Sequence, residues 1–237
     1  MAFRGEAKVH TKLLAERSLM AIGLGAILGA RLVDVFFYQD VSSWWNNPLS
    51  IFFVWEGGLA SHGGAIGIII ALFILVRRLR REKMGFYSFL SLLDRIVPGV
   101  ALAGACIRIG NFINQEVLGT PTDLPWAVLF LHPADGSLIV PRHPVQLYES
   151  LAYIILSGLL YALWTKKPHF RREGVSSGLF LTIVFGFRFL IEFVKVEQSD
   201  YILLSSMTMG QFLSLPFLAF GIYLLWRLRK TPNRQMV

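Results

Sequence analysis

The sequence predicts an all-α fold: a polytopic membrane bundle of six spans carrying a small external cap. Three observations point there. The chain is 54% hydrophobic with a mean hydropathy of +0.56, well above a soluble domain. Apolar segments approaching the length that crosses a bilayer recur at about 18 to 38, 62 to 76, 89 to 107, 146 to 164, 177 to 194 and 208 to 226. Most of the 23 basic residues fall in alternate connections, the pattern that keeps Lys and Arg on the cytoplasmic side.

The elements follow in order. Residues 1 to 17 form a basic tail with Arg4, Lys8, Lys12 and Arg17, expected to be cytoplasmic. The first span contains Arg31 and Asp34 and lacks a small-residue cleavage site, so it is expected to act as an uncleaved anchor. Arg77, Arg78, Arg80, Arg81 and Lys83 close the second span; Lys166, Lys167, Arg171 and Arg172 close the fourth; Arg227, Arg229, Lys230 and Arg234 close the sixth. One transmembrane domain is therefore expected over 18 to 228, with a cap at about 114 to 145, a tail at 229 to 237 and both termini cytoplasmic. The net charge of +8 is then topology plus attraction to anionic membrane lipid, and no nucleic-acid partner is expected. Cys106 stands alone, which excludes an intramolecular disulfide.

Six cations fall within spans or at their outer ends: Arg31, Arg95, Arg108, Arg142, Arg188 and Lys195. A charge at the centre of a membrane helix costs roughly 2.5 to 3.5 kcal/mol on insertion scales, so each needs a partner or a task. Asp34 lies within reach of Arg31, Asp94 is adjacent to Arg95, and Glu192 is one turn from Arg188. Simple neutralisation explains such pairs as well as function does. Helical spacing places Arg188, Glu192 and Lys195 on one face.

Two outward segments are rich in polar and aromatic residues. Trp44 to Gly64 carries Pro48, Gly57, Gly58, Gly63 and Gly64, which break a continuous helix and make a partly re-entrant segment plausible, with His62 at its end. A lone His beside two glycines serves as a hydrogen-bonding residue or as a base. The longer segment, Asn111 to Gln146, brings Asn111, Asn114, Glu116 and Gly119, then Arg142 and His143 before Pro144. Pro144 is suited to start a helix whose first turn carries Gln146, Tyr148 and Glu149, with Arg142 adding to the anion preference of the helix N-terminus.

HGG at 62 to 64, RIGNFIN at 108 to 114 followed by Glu116 and Gly119, RHPVQLYE at 142 to 149, GFRFLIEF at 186 to 193 and SMTMGQFLSLP at 206 to 216 resemble, in order, the motifs of the prolipoprotein diacylglyceryl transferases. The resemblance runs from about Gly25 to the last helix. It implies an enzyme of the bacterial inner membrane, a transferase moving the diacylglyceryl group of phosphatidylglycerol onto the lipobox cysteine of a prolipoprotein signal peptide, with no metal or soluble cofactor. It further implies Arg108 and Arg188 as phosphate-contacting residues, Asn111, Asn114 and Glu116 as motif amides and acid, Gly119 as an essential glycine and His62 as candidate base. The residues themselves add Arg142, Gln146, Tyr148, Glu192 and Lys195 as expected substrate contacts.

The chemistry suits these residues. The nucleophile belongs to the substrate, so the chain needs no cysteine of its own. A thiol with a pKa near ~8.5 is matched by a neutral imidazole near ~6.5 as base. The leaving phosphate gains negative charge as its bond to carbon breaks, which fixed guanidinium groups stabilise. The sequence departs from the family pattern in several places: a further N-terminal helix expected ahead of Gly25, Phe187 before Arg188, Ile107 for a usual glycine, and Lys195 where an arginine is common. Lys195 keeps the charge and loses the bidentate fork. A transporter or channel for an anionic lipid or solute also uses intramembrane arginines and broken helices, but predicts internal repeats that the chain lacks. A structural scaffold leaves the embedded cations unexplained.

Overall fold

The computed structural model describes residues 2–37, 49, 53, 60–82, 88–196 and 207–230. Among these it is mostly helical, apart from a small cap between two of the helices. The chain forms two compact units, Met1–Leu92 and Leu93–Val237.

The first unit is a helix pair. Helix α1 (Ala2–Phe37) is continuous from its second residue, so the expected basic tail is helical and runs directly into the span Lys12–Phe37. Helix α2 (Ser61–Arg81) packs along it. Their contact is built on glycine at four-residue spacing on both helices: Gly25 and Gly29 face Gly63 and Gly67. A Cβ on Gly29 would come within 2.7 Å of the Gly67 Cα, and one on Gly63 within 2.6 Å of the Val33 Cβ. Such close backbone approach is how helices associate where no hydrophobic effect separates them from lipid. Gly63 and Gly64 therefore continue a helix rather than breaking one, contrary to expectation, because the neighbouring helix fills the space their side chains would occupy. The rest of the expected re-entrant segment falls mainly outside the described residues. At the basic end Arg17 pairs with Glu82, and within the span Arg31 pairs with Asp34 at 3.8 Å, as the spacing predicts.

The second unit holds α3 (Phe89–Ile113, which begins in the first unit), α4 (Val145–Lys166), α5 (Val175–Ile191) and α6 (Met209–Lys230). Val97, Leu156 and Leu160 form its apolar centre, with Leu179, Phe180 and Val184 packed against them. Hydroxyls tie α4 to α3: Ser150 donates to the Ala105 carbonyl at 3.1 Å and Ser157 to the Pro98 carbonyl at 2.8 Å. Asp94 does not pair with Arg95. Its buried carboxylate accepts from the Gly174 and Ser177 N–H groups and the Ser177 hydroxyl, satisfying the exposed donors at the start of α5. Arg95 instead lies over the Trp164 ring, 5.7 Å from its centroid. Helices α5 and α6 approach closely at Gly178 and Gly221, and Phe185 stacks on Phe217 at 4.5 Å.

Among the described residues five helices are long and apolar enough to cross a membrane: Lys12–Phe37, Phe89–Ile113, Val145–Lys166, Val175–Val194 and Met209–Leu228. Helix α2, expected as a sixth span, is not among them, since its apolar run ends in Arg77, Arg78, Arg80 and Arg81. Large apolar side chains such as Leu102, Ile107, Ile155 and Leu190 remain exposed along the helices, as a lipid-facing surface requires. The chain is a multi-pass membrane protein.

The cap lies between α3 and α4. Strands β1 (Val128–Leu129) and β2 (Pro141–Arg142) pair antiparallel. The segment around Gly119 joins them to the end of α5, through Thr120 N–H to the Val194 carbonyl at 2.9 Å, Val196 N–H to the Leu118 carbonyl at 3.0 Å and His143 N–H to the Thr120 carbonyl at 3.1 Å. At the cap's edge the Ser137 hydroxyl and N–H hold the Asp135 carboxyl below its ordinary range.

Candidate active site

The end of α3 explains why its polar run sits where it does. Glu116 N–H bonds the Asn111 carbonyl at 2.8 Å and Gln115 N–H bonds the Phe112 carbonyl at 3.1 Å, the paired contacts of a Schellman motif. Gln115 adopts the left-handed conformation this requires, at φ 55°, and Val117 follows at φ 58°. Glycine normally occupies such positions, and a β-branched Val there is strained. The turn folds Glu116 back over its own helix. Its carboxylate accepts from the Asn111 side chain at 2.9 Å and the Asn114 side chain at 3.3 Å, while its carbonyl accepts from Gln146 at 2.6 Å. The motif residues Asn111, Asn114 and Glu116 thus meet in this turn.

Asn111 links this turn to Arg108, whose Nη1 donates to the Asn111 Oδ1 at 3.1 Å. On its other edge the Arg108 Nε lies 2.9 Å from the Glu149 Oε2, an ion pair with a carboxylate that is completely buried. The Tyr153 side chain, one turn along α4 from Glu149, lies close to Arg108. The charges of Arg188, Glu192 and Lys195 act on the same groups: Tyr153 feels Glu149, Arg108 and Arg188, and Lys195 feels Glu149, Glu192, Arg188 and Arg108. Helices α3, α4 and α5 thus bring three cations and two carboxylates into one cluster at the cap side of the unit. Arg188 is the group in it that makes no hydrogen bond or ion pair among the described residues.

Several expected contacts take different roles. Lys195 is not on the helical face of Arg188, because α5 ends at Ile191 and passes through a short 3-10 turn, Glu192–Val194, before Lys195 bridges to Gly119. Glu192 accordingly pairs with Lys195, at 3.9 Å, rather than with Arg188. Its carboxylate lies against the backbone of Gly210, where any Cβ would collide with it. Arg142 is buried, and its guanidinium donates to the Gly119 carbonyl, the Ser137 hydroxyl and the Leu138 carbonyl at 3.1 to 3.2 Å. It is spent on holding the cap together. Tyr148 accepts from the Trp126 indole at 2.7 Å. Gly119 is required by space, for a Cβ there would meet the His143 carbonyl and lie 2.9 Å from Val145 Cγ1. His62 belongs to the first unit, and its side chain is outside the described residues.

Sequence reasoning missed Glu149 and Tyr153 as members of the cluster. Both lie on the face of α4 at four-residue spacing, and a carboxylate in the first turns of an otherwise apolar helix is the signal that marks the first of them. Tyr153 had no such signal, since a tyrosine suits an apolar helix.

A family model described as prolipoprotein diacylglyceryl transferase matches residues 3–227, so the match starts well ahead of Gly25 and takes in residues that the motifs alone left as a tail. The chain is 46% identical to the phosphatidylglycerol–prolipoprotein diacylglyceryl transferase of Protochlamydia amoebophila, over 98% of this chain and 62% of that protein. It is 42% identical to the one of Porphyromonas gingivalis, over 90% of this chain and 76% of the relative, and 40% identical to the one of Tolumonas auensis, over 89% and 77%. It thus spans under two thirds of the first of these relatives and about three quarters of the other two. With the motif residues gathered at the ends of α3 and α5 and the match covering nearly the whole sequence, this chain belongs to the prolipoprotein diacylglyceryl transferase family.

Proposed function

We propose that this chain transfers the diacylglyceryl group of phosphatidylglycerol to the thiol of the lipobox cysteine of a prolipoprotein, the first step of bacterial lipoprotein maturation. The observation that carries the reading is the charged cluster around Arg108. Three cations, Arg108, Arg188 and Lys195, stand against two carboxylates, Glu149 and Glu192. With Glu116, joined to Arg108 through Asn111, the charges balance, and it is Arg188, which makes no hydrogen bond or ion pair among the described residues, that offers a guanidinium to a phosphodiester.

The substrate sulfur forms a bond to the glyceryl carbon that carries the phosphate, and the carbon–oxygen bond breaks. Glycerol phosphate leaves with the bonding electron pair, and the thiol proton passes to a base, for which His62 is the candidate. As the bond lengthens, the bridging oxygen gains charge, and guanidinium groups already in place strengthen their hold without reorganising. Arg188, which has no partner among the described residues, takes the phosphate; Arg108, held between Asn111 and Glu149, stabilises it as it departs. Glu116 fixes Asn111, and through it Arg108. Gln146 supports the same turn, while Gly119, Arg142 and Tyr148 shape the cap.

The topology fits this use. The reading takes α2 as a sixth crossing, which puts both termini in the cytoplasm and the cap in the periplasm, in keeping with the distribution of basic residues. The inner membrane supplies the phospholipid at headgroup level, where a signal peptide crossing the membrane presents its cysteine. The purified protein, given phosphatidylglycerol and a lipobox peptide, should release glycerol phosphate in step with peptide modification. A peptide with Ser in place of the cysteine should give none. Release independent of the peptide thiol would overturn the reading.

A further inference from the structure

The structure assigns a lipid site to the helix pair of the first unit: the groove along α1 and α2 binds one anionic phospholipid, with an acyl chain between the helices and the phosphate at Arg78. The site shares no residue with the cluster around Arg108 and does not depend on the transfer proposed above.

Helices α1 and α2 run antiparallel, since Gly25 faces Gly67 and Gly29 faces Gly63. These four glycines line a groove of about 820 Å³, within the roughly 300 to 1,000 Å³ of small-molecule sites. Its walls are apolar. On α1, Met20, Leu24, Leu28 and Leu32 recur at four-residue spacing and so share one face. On α2, Ile66, Ile70 and Ile74 do the same. All of these side chains are exposed. Glycine between two rows of long side chains makes the groove deep as well as apolar. From Arg17 to Val33 it follows α1 for about 24 Å at the helical rise. One leaflet's share of the hydrocarbon core is roughly 15 Å, so an acyl chain fits along it.

The polar groups of the groove lie at one end: Arg17, Arg78 and Glu82. Arg17 pairs with Glu82 and closes that end of the helix pair. Arg78 extends the row of Ile66, Ile70 and Ile74 by one turn, and its guanidinium makes no hydrogen bond or ion pair among the described residues. Two guanidinium groups against one carboxylate leave the end positive, and Arg77, Arg80 and Arg81 stand beside it in the last turns of α2. An acyl chain with an anionic head complements both parts of the groove. A second apolar helix would leave Arg78 without a counter-charge, and a soluble anion would leave the apolar walls unused.

The full chain, purified in detergent, is titrated with dipalmitoyl phosphatidic acid and with dipalmitoyl phosphatidylcholine. Bound lipid is counted by native mass spectrometry, and thermal unfolding is measured for every variant. Phosphatidic acid should bind one to one, and more tightly than phosphatidylcholine. Arg78→Gln should weaken it about fivefold, the usual worth of one basic residue at an anionic surface. Arg81→Gln, at the same basic end but outside the groove, should leave it unchanged. Ile70→Trp puts an indole in the groove and should abolish one-to-one binding; Ile70 is exposed, so this variant keeps the helix pair and decides the matter if Arg78→Gln does not fold. Equal affinity for the two lipids, or equal losses in Arg78→Gln and Arg81→Gln, would overturn the assignment of the head. Native binding by Ile70→Trp would overturn the site and leave the groove to a protein segment. One-to-one binding should also persist in Arg188→Ala; its loss there would place the lipid at the proposed reaction site instead.

Discussion

A methyl group at Gly119 would collide with the His143 carbonyl and crowd Val145. The strand-like segment carrying it is hydrogen-bonded on both sides, to Val194 and Val196 and to Pro141 and His143, so neither neighbour can give way alone. Gly119→Ala should therefore destabilise the cap by about 1 to 3 kcal/mol, the usual cost of overpacking. Limited proteolysis between residues 120 and 140, followed with thermal unfolding, would show it as faster cleavage and a lower transition. Unchanged protection would mean the glycine serves substrate directly. Residue identity was readable at this scale while role was not. Arg142 and Gly119 stood out as members of motifs, but that one staples the cap and the other leaves room for it depends on backbone from distant segments. Arg108, Asn111 and Glu116 were legible together because they lie on consecutive turns and one Schellman turn closes them.

Helix positions followed from apolar length, and among the described residues five of the six expected segments are helices long and apolar enough to cross a membrane. Pro144 does precede α4, as a proline without an N–H to lose can. What the period could not convey was the turn after Ile191, where α5 gives way to a tight 3-10 turn and Lys195 leaves the face of Arg188. Nor did it show that Gly25, Gly29, Gly63 and Gly67 form one contact, since small residues signal close approach without naming the partner. Gly67→Val should force α1 and α2 apart and lower the thermal stability of the detergent-solubilised protein. Gly23→Val, where a side chain meets nothing within 4 Å, should leave it unchanged apart from a small loss of helix propensity. Equal effects of the two substitutions would show that the glycine contact does not hold the pair together.

At the scale of the whole molecule, the membrane sets what the cluster costs and what it can do. Charges interact more strongly among apolar helices than in water, and three of the six cations gather in one place while Arg31 is paired, Arg95 lies over Trp164 and Arg142 bonds two carbonyls and a hydroxyl of the cap. The apolar segments made the multi-pass membrane character legible from the sequence, and the order of motifs made the family legible. The sharing of work between the two arginines was not, because it depends on which guanidinium already has partners. Arg188 has none among the described residues, so it is the group with most to gain when a phosphate arrives. The most direct measurement is glycerol phosphate release by Arg188→Ala with phosphatidylglycerol and a lipobox peptide. Loss of turnover by at least about a hundredfold, in protein that unfolds at the native temperature, is the expected result; turnover near the native rate would contradict the account.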